Sequence, residues 1–496
     1  MLFSQLIGQL PFDYTLCGAD RAADEVSHIG NDSRLVREGS VFVCVKGAIS
    51  DGHNYARAAY DHGCRLFVAQ RELAVPADAA VLITEDTRRA LALMSARLYR
   101  EPSRELQIIG ITGTKGKTTM ALMIAHILNT CGIATGYIGT SGVDYGSYHF
   151  ATINTTPESC DIQRYLRDMV TAGMRVCVME VSSQALKLSR VLGVRFDITV
   201  FTNLSRDHIG GVEHPDMEDY KDCKARLFRD FPARLVVYNA DDPQAEDIIG
   251  ASKAPRVRFA LHHAGEFTAD GLTLLREEGK LGLRFRMKTA RGETAVTLPF
   301  PGAFSVYNAL AAGAVCHAFG VTDGQIAAAL ETVSIAGRFE TVAMPGGVTA
   351  VIDYAHNGVS MRSALETLRQ YQPRRLICLF GSVGGRTQMR RAELGAVAAE
   401  LADLCILTSD NPDNEPPMDV IRDIAAQFGA GMCPHVEIPD REEAILYALS
   451  VAQAGDIILL AGKGHEKYQL IAGQHVPFCE KDILLRESVR MALAKL

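Results

Sequence analysis

Residues 110–119 read GITGTKGKTT, three glycines and two lysines lying between the apolar run ELQIIGIT and the helical pattern TTMALMIAHILNT. At such a junction, backbone N–H groups and the helix N-terminus converge on an anion. Lys117 can neutralise terminal phosphates, and Thr118 can reach a magnesium ion. The spacing departs from the common phosphate loop, whose first glycine would fall on Ile111. The segment is therefore either a variant phosphate cradle or a glycine turn ahead of an ordinary helix.

Further reactive side chains follow other apolar runs. Glu180 in MEVSSQALKLSR ends one of them. A carboxylate there is costly unless it holds a metal or a partner, the alternative being a helix cap or a surface glutamate. FTNLSRDHIG supplies His208 and DYKDCKARLF supplies Lys224; either residue taken alone is more often structural than catalytic. Asn203 to His208, Asp353 to His356, Asp410 with Asn411, and Lys463 to Glu466 repeat the arrangement. In open parallel α/β sheets, ligands sit beyond the carboxyl ends of the strands, so these segments predict a composite site in a cleft between domains.

The elements that must carry them are α/β throughout. With 496 residues the chain is expected to form two to four domains. A net charge of -7 argues against a general nucleic-acid binder and suits small anionic substrates. Twelve cysteines without CxxC pairs read as thiols of a reducing compartment, and a cytoplasmic protein is expected. The start MLFSQLIGQLPFDY lacks the basic residues of a secretory signal, and no apolar stretch approaches the ~18 residues of a spanning helix, so no membrane insertion is expected. Residues 1–102 mix strands such as SVFVCVKG with helices such as NYARAAYDHG, closing on a charged helix TRRALALMSARLYREPSREL. Within 103–336, ELQIIGIT, RVCVMEV, FDITVFTN and RLVVYN predict a parallel sheet. LGLRFRMK, with its period of two, predicts an antiparallel insertion or edge hairpin. VTAVIDYAHN, RRLICLFGS, DLCILTSDN and DIILLAGKGHE predict a further α/β domain over 337–496.

GTKGKTT, NTTPE, MEVSS, FTNLSRDH, NADDP, NALAA, GRFE, DYAH, SDNP and AGKGHE occur in that order. The ordered set resembles the Mur ligase family, and within it the branch that adds the third residue of the peptidoglycan stem peptide. The resemblance runs from NDSRLVREGSVFVCVKG to AGKGHEKYQ and accounts for the loop, which is the family's GTxGKT variant. It implies three α/β domains: 1–102 for the uridine nucleotide, 103–336 with a P-loop-type parallel sheet for ATP, and a Rossmann-like 337–496 for the incoming amino acid. It also implies an ATP- and Mg2+-dependent amide ligase that works through an acyl phosphate, as a monomer, on UDP-muramyl dipeptide and a diamino acid.

By this resemblance Gly113, Thr114, Lys115, Gly116, Lys117, Thr118 and Thr119 cradle ATP, with Asn308 against adenine and Arg338 and Asp353 orienting the nucleotide. Thr118 and Glu180 hold one magnesium, and Glu180 and His208 help to hold a second. Lys224 matches the lysine carried as a carbamate (N6-carboxylysine), which would turn a repelled ammonium into an oxygen ligand. Ser33 touches the uridine nucleotide; Asn154, Thr155, Thr156, Ser182 and Arg190 meet the muramyl dipeptide. The role of His356 is unassigned.

Arg391, Asp410, Asn411, Asp413, Gly462 and Glu466 would form the amino-acid pocket, Arg391 taking the carboxylate and Glu466 an ammonium. Diaminopimelate-adding relatives carry DNPR where this chain has DNPDNE. Asp413 would repel a distal carboxylate and attract a bare ammonium, which favours lysine or ornithine. The alternative is meso-diaminopimelate, served by another arginine such as Arg386. FGSVGGRTQMRR and DHIGGVEHP also depart from the family pattern. A folate polyglutamate synthase is the more distant enzymatic rival, and a GTPase is disfavoured because no NKxD motif occurs.

Overall fold

The computed structural model describes residues 1–47, 50–206, 209–210, 213–277, 279–385, 388–429 and 431–493. The chain divides into two compact units, residues 1–268 with 308–322 and residues 269–307 with 323–496.

In the first unit, β1 (Thr15–Cys17), β2 (His28–Gly30), β3 (Ser40–Val43), β4 (Leu66–Ala69) and β5 (Ala80–Ile83) form a sheet in the order β1-β5-β4-β3-β2. All its pairs are parallel except the antiparallel edge β1–β5. β3 and β4 are buried on both faces, which is why SVFV and LFVA read as continuous apolar runs. Helices α1 (Phe3–Ile7), α2 (Ala56–Asp61) and α3 (Thr87–Leu98) accompany the sheet. The charged segment expected to remain helical beyond residue 100 stops at Leu98. Arg100 and Glu101 take positive φ, and Pro102 opens a 3-10 turn. Proline disfavours a helical residue before it, which ends the helix there.

The same unit holds β6 (Gln107–Thr112), β7 (Thr135–Gly139), β8 (Gly142–Tyr145), β9 (Tyr148–Phe150), β10 (Val176–Glu180), β11 (Ile198–Phe201), β12 (Leu235–Asn239) and β13 (Arg256–Ala260), in the order β13-β12-β11-β6-β10-β7-β8-β9. The pairs from β13 through to β7 are parallel, and β7-β8-β9 is an antiparallel meander. Helices α4 (Lys117–Thr130), α5 (Ser159–Thr171), α6 (Ser183–Lys187) and α7 (Met217–Arg229) supply the connections. The core joins Ile108, Ile138, Met179, Phe196, Phe201, Leu227 and Val236. Cys160 of α5 is buried in the core of the N-terminal sheet. Arg88 of α3 also pairs with Glu158 at 3.3 Å.

β14 (Phe267–Glu277) starts beside β13 and carries the chain into the second unit, where β15 (Lys280–Thr289) and β16 (Gly292–Leu298) follow. β15 and β16 pair antiparallel, as the alternation in LGLRFRMK predicts: Leu281, Leu283, Phe285 and Met287 are buried. The second unit also contains a six-stranded sheet of β17 (Glu340–Met344), β18 (Val348–Asp353), β19 (Leu376–Phe380), β20 (Leu404–Leu407), β21 (His435–Glu437) and β22 (Ile457–Ala461). Its order is β17-β18-β22-β19-β20-β21, parallel except for β17. A hairpin of β23 (Tyr468–Ile471) and β24 (Gln474–Pro477) follows. Among the described residues no helix is long and apolar enough to cross a membrane.

Candidate active site

The loop after β6 is held by the strand beside it. Asn203 accepts the Thr114 N–H on its carbonyl at 2.8 Å and the Lys115 N–H on its side chain at 2.9 Å. Thr202 Oγ1 donates to the Lys115 carbonyl at 2.7 Å. This close strap forces glycine at 113: φ is +148°, and a Cβ there would lie 1.9 Å from Thr202 Oγ1. Gly116, the N-cap of α4, has φ +86°, and a Cβ would come 2.7 Å from Asn308 Oδ1. Asn308 is buried against the loop. The Lys117 ammonium donates back to the carbonyls of Gly113 (2.9 Å) and Thr114 (3.1 Å). Thr119 lies two residues further along α4, half-buried.

Glu180 closes β10 and is fully buried. Its Oε2 accepts from Thr118 Oγ1 at 2.9 Å and Thr140 Oγ1 at 3.3 Å; its Oε1 accepts from the Tyr137 phenol at 2.5 Å and the Thr140 N–H at 2.9 Å. Burial, reinforced by the adjacent carboxylate, pushes the Tyr137 phenol well above its ordinary pKa and keeps it a donor. Lys224, on α7 and 1% exposed, donates to the Gly113 carbonyl at 2.8 Å and lies 4.3 Å from the Tyr220 ring centroid. Thr118, Glu180, Lys117, Lys224 and Asn308 thus converge on one loop. His208 lies outside the described residues.

The donors expected to meet the muramyl dipeptide adjoin this cluster. Thr156 Oγ1 donates to the Glu180 carbonyl at 2.8 Å and accepts the Ser182 N–H at 3.0 Å. Thr155 Oγ1 lies within hydrogen-bond distance of Thr140 Oγ1 at 3.0 Å and can donate to it, and Asn154 precedes it, half-buried. Arg190 donates to the Thr156 carbonyl at 3.2 Å and pairs with Glu158 at 3.0 Å. Ser33, buried after β2, is held through its carbonyl by His62 Nδ1 at 2.8 Å.

The remaining residues belong to the second unit. Arg338 stacks 4.9 Å from the Tyr354 ring centroid, and Asp353 Oδ2 accepts the Phe339 N–H at 2.9 Å. Burial raises the Asp353 carboxyl to about 6 against the pull of Arg338. His356 Nδ1 meets the Tyr354 carbonyl at 2.7 Å. Lys463, fully buried, contacts Glu466 Oε2 (2.9 Å), Asn411 Oδ1 (2.9 Å) and Asp410 Oδ1 (3.4 Å), and Gly462 stands against Asp410.

Arg391 and Asp413 are engaged by partners within the chain. Arg391 is 2% exposed and is engaged by the chain's own carboxylates, Glu415 at 2.6 and 2.7 Å and Asp423 at 2.8 Å. The guanidinium and the Gly385 N–H together lower the Glu415 carboxyl to about 2. Asp413 takes φ +52°, and its Oδ1 accepts the Gly473 N–H at 2.9 Å. Its carbonyl accepts from the Ala472 N–H at 2.8 Å, so its job is to brace the β23–β24 turn. Arg386 lies outside the described residues. The sequence reading left Tyr137, Thr140 and Lys463 without roles, and Asn203 was noted only as part of its motif.

Three family models match in chain order: "Mur ligase family, catalytic domain" over 25–99, "Mur ligase middle domain" over 111–316, and "Mur ligase, glutamate ligase domain" over 337–464. The UDP-N-acetylmuramoyl-L-alanyl-D-glutamate--2,6-diaminopimelate ligase of Geobacillus kaustophilus is 40% identical over 460 residues, covering 91% of this chain and 92% of its own. The chain belongs to the Mur ligase family. The equivalent ligase of Geobacillus thermodenitrificans is 38% identical, covering 97% of this chain and 98% of its own. A solved structure of a ligase of the same name superposes with a TM-score of 0.69 at 27% identity, covering 99% of both chains. The architecture is accordingly that of the three-domain Mur ligases, a central mixed sheet flanked by α/β domains.

Proposed function

We propose that this Mur ligase joins a diamino acid to UDP-MurNAc-L-Ala-D-Glu at the expense of ATP, in the cytoplasm and as a monomer, and that its domains are 1–102, 103–336 and 337–496. The observation that carries the reading is the meeting of Thr118, Glu180, Lys117 and Lys224 on one helix-opening loop. The donor set fits magnesium, because Thr118 Oγ1 and Glu180 Oε2 are hard oxygens 2.9 Å apart at a buried strand end. Those two residues, with His208 and a carbamylated Lys224, would hold the metal. Bound there, magnesium cancels charge between two anions that must approach each other.

The loop N–H groups and the N-terminus of α4 bind the triphosphate. Lys117 leaves the Gly113 and Thr114 carbonyls to neutralise the γ-phosphoryl group. The glutamyl carboxylate of the dipeptide, oriented by Thr155, Thr156, Ser182 and Arg190, attacks that phosphorus and releases ADP. The amine then attacks the acyl carbon and expels phosphate. Asn308, Arg338 and Asp353 orient the nucleotide, and Ser33 the uridine end. Arg391, Asp410, Asn411, Gly462 and Glu466 form the amino-acid end.

For the amino acid we now favour 2,6-diaminopimelate over lysine or ornithine. Asp413, whose charge favoured the latter, is spent on the hairpin turn, and relatives at 38–40% identity are named for diaminopimelate. Phosphate release with ATP, UDP-MurNAc-L-Ala-D-Glu and each of the three amino acids tests this. Turnover with diaminopimelate is expected; turnover with lysine or ornithine alone reverses the choice, and none with any of the three defeats the ligase reading.

A further inference from the structure

Glu180 accepts four hydrogen bonds, and they divide unevenly. Thr118 and Thr140 hydroxyls meet Oε2 from the loop side, whereas Oε1 is taken by the Tyr137 phenol and the Thr140 N–H. Tyr137 sits on β7, directly across from Val178 of the adjacent β10, and is 2% exposed. Its oxygen accepts from the Ser141 N–H at 3.3 Å, so its single proton is committed to Glu180. At 2.5 Å this is a short, charge-assisted bond. The strand end is shaped to permit it. A Cβ on Gly139 would lie 2.2 Å from the Tyr137 oxygen and 2.3 Å from Glu180 Oε1, so any larger residue would part the two groups.

We infer that Tyr137 is a positioning residue for Glu180: with the Thr140 N–H it fixes Oε1 to the protein and presents Oε2 alone, beside Thr118, as the oxygen that meets a divalent cation. The inference rests on the ligase reading, in which Glu180 holds the metal of the nucleotide. Tyr137 touches neither substrate nor metal, and acts by setting the rotation of the carboxylate. Outer-shell partners of this kind change metal affinity by roughly 10- to 100-fold when removed.

The test is Mn2+ binding to the full-length chain with saturating β,γ-imido-ATP, free Mn2+ being read by electron paramagnetic resonance. Tyr137→Phe should weaken Mn2+ binding about tenfold, with nucleotide binding in EDTA and the melting temperature near those of the unaltered chain. Gly139→Ala keeps both polar groups but forces them apart, and should weaken Mn2+ comparably. Unchanged Mn2+ affinity in Tyr137→Phe overturns the inference, as does a lowered melting temperature with affinity intact, which marks a purely structural tyrosine. Failure of the unaltered chain to bind Mn2+ with the nucleotide would instead strike the ligase reading itself.

Discussion

The glycine loop around Gly113 and the region around Arg391 and Lys463 are both rich in buried charge, yet they are held in opposite ways. Around Gly113, order comes from backbone and neutral donors: Asn203, Thr202 and Asn308 press on the loop so closely that side chains are excluded. Around Arg391 and Lys463, order comes from opposite charges meeting each other, with Glu415, Asp423, Asp410 and Glu466 as partners. In the first arrangement Asn203 holds the Thr114 and Lys115 N–H groups, and Lys117 donates to the Gly113 and Thr114 carbonyls. The second sets two cations against four carboxylates; under the proposed function a zwitterion would bind there by exchanging partners. Exchange of that sort favours selectivity over affinity, because an amino acid lacking one matching charge leaves a buried ion unpaired.

The contrast can be broken at either end. Lys117→Ala should reduce turnover more than about a thousandfold while circular dichroism and UDP-muramyl dipeptide binding persist, because only charge cancellation is lost. Gly113→Ala should cost about 3–4 kcal/mol in denaturant unfolding, strain and overpacking acting together where a Cβ meets Thr202 Oγ1 at 1.9 Å. In the second unit, Asp353 has its carboxyl raised to about 6, so the folded chain retains a proton that the unfolded chain has released. Stability therefore falls as pH rises from about 4 to about 6 and is level above, and Asp353→Asn should remove about 2–3 kcal/mol of that slope in melts across the window. Glu415→Gln should weaken the tie between Arg391 and the Gly385 N–H by about 1–2 kcal/mol. Its readout is a raised KM for the amino acid with the KM for ATP unchanged; a lowered KM would show Glu415 competing with the substrate.

Sequence periodicity located the strands on which the site hangs, since ELQIIGIT, RVCVMEV and LGLRFRMK have only one comfortable burial pattern each. The position of Glu180 at a strand end was readable for the same reason. What it touches was not: Tyr137 lies 43 residues away and reaches Glu180 only because β7 pairs in parallel with β10. What Asp413 touches was hidden for a related reason. An aspartate in a left-handed turn spends its oxygen on the local backbone, and that commitment depends on a hairpin some sixty residues further along the chain. Arg391 was expected to take the incoming carboxylate; its partners within the chain were not readable, being set by how its helix meets the segment carrying Glu415 and Asp423.

The central claim is that the loop and Glu180 serve to phosphorylate a carboxylate, and oxygen tracing tests it most directly. With UDP-MurNAc-L-Ala-D-Glu labelled with 18O in the glutamyl carboxylate, turnover with ATP and diaminopimelate should place one 18O atom in each released phosphate. Product formed alongside unlabelled phosphate would contradict it.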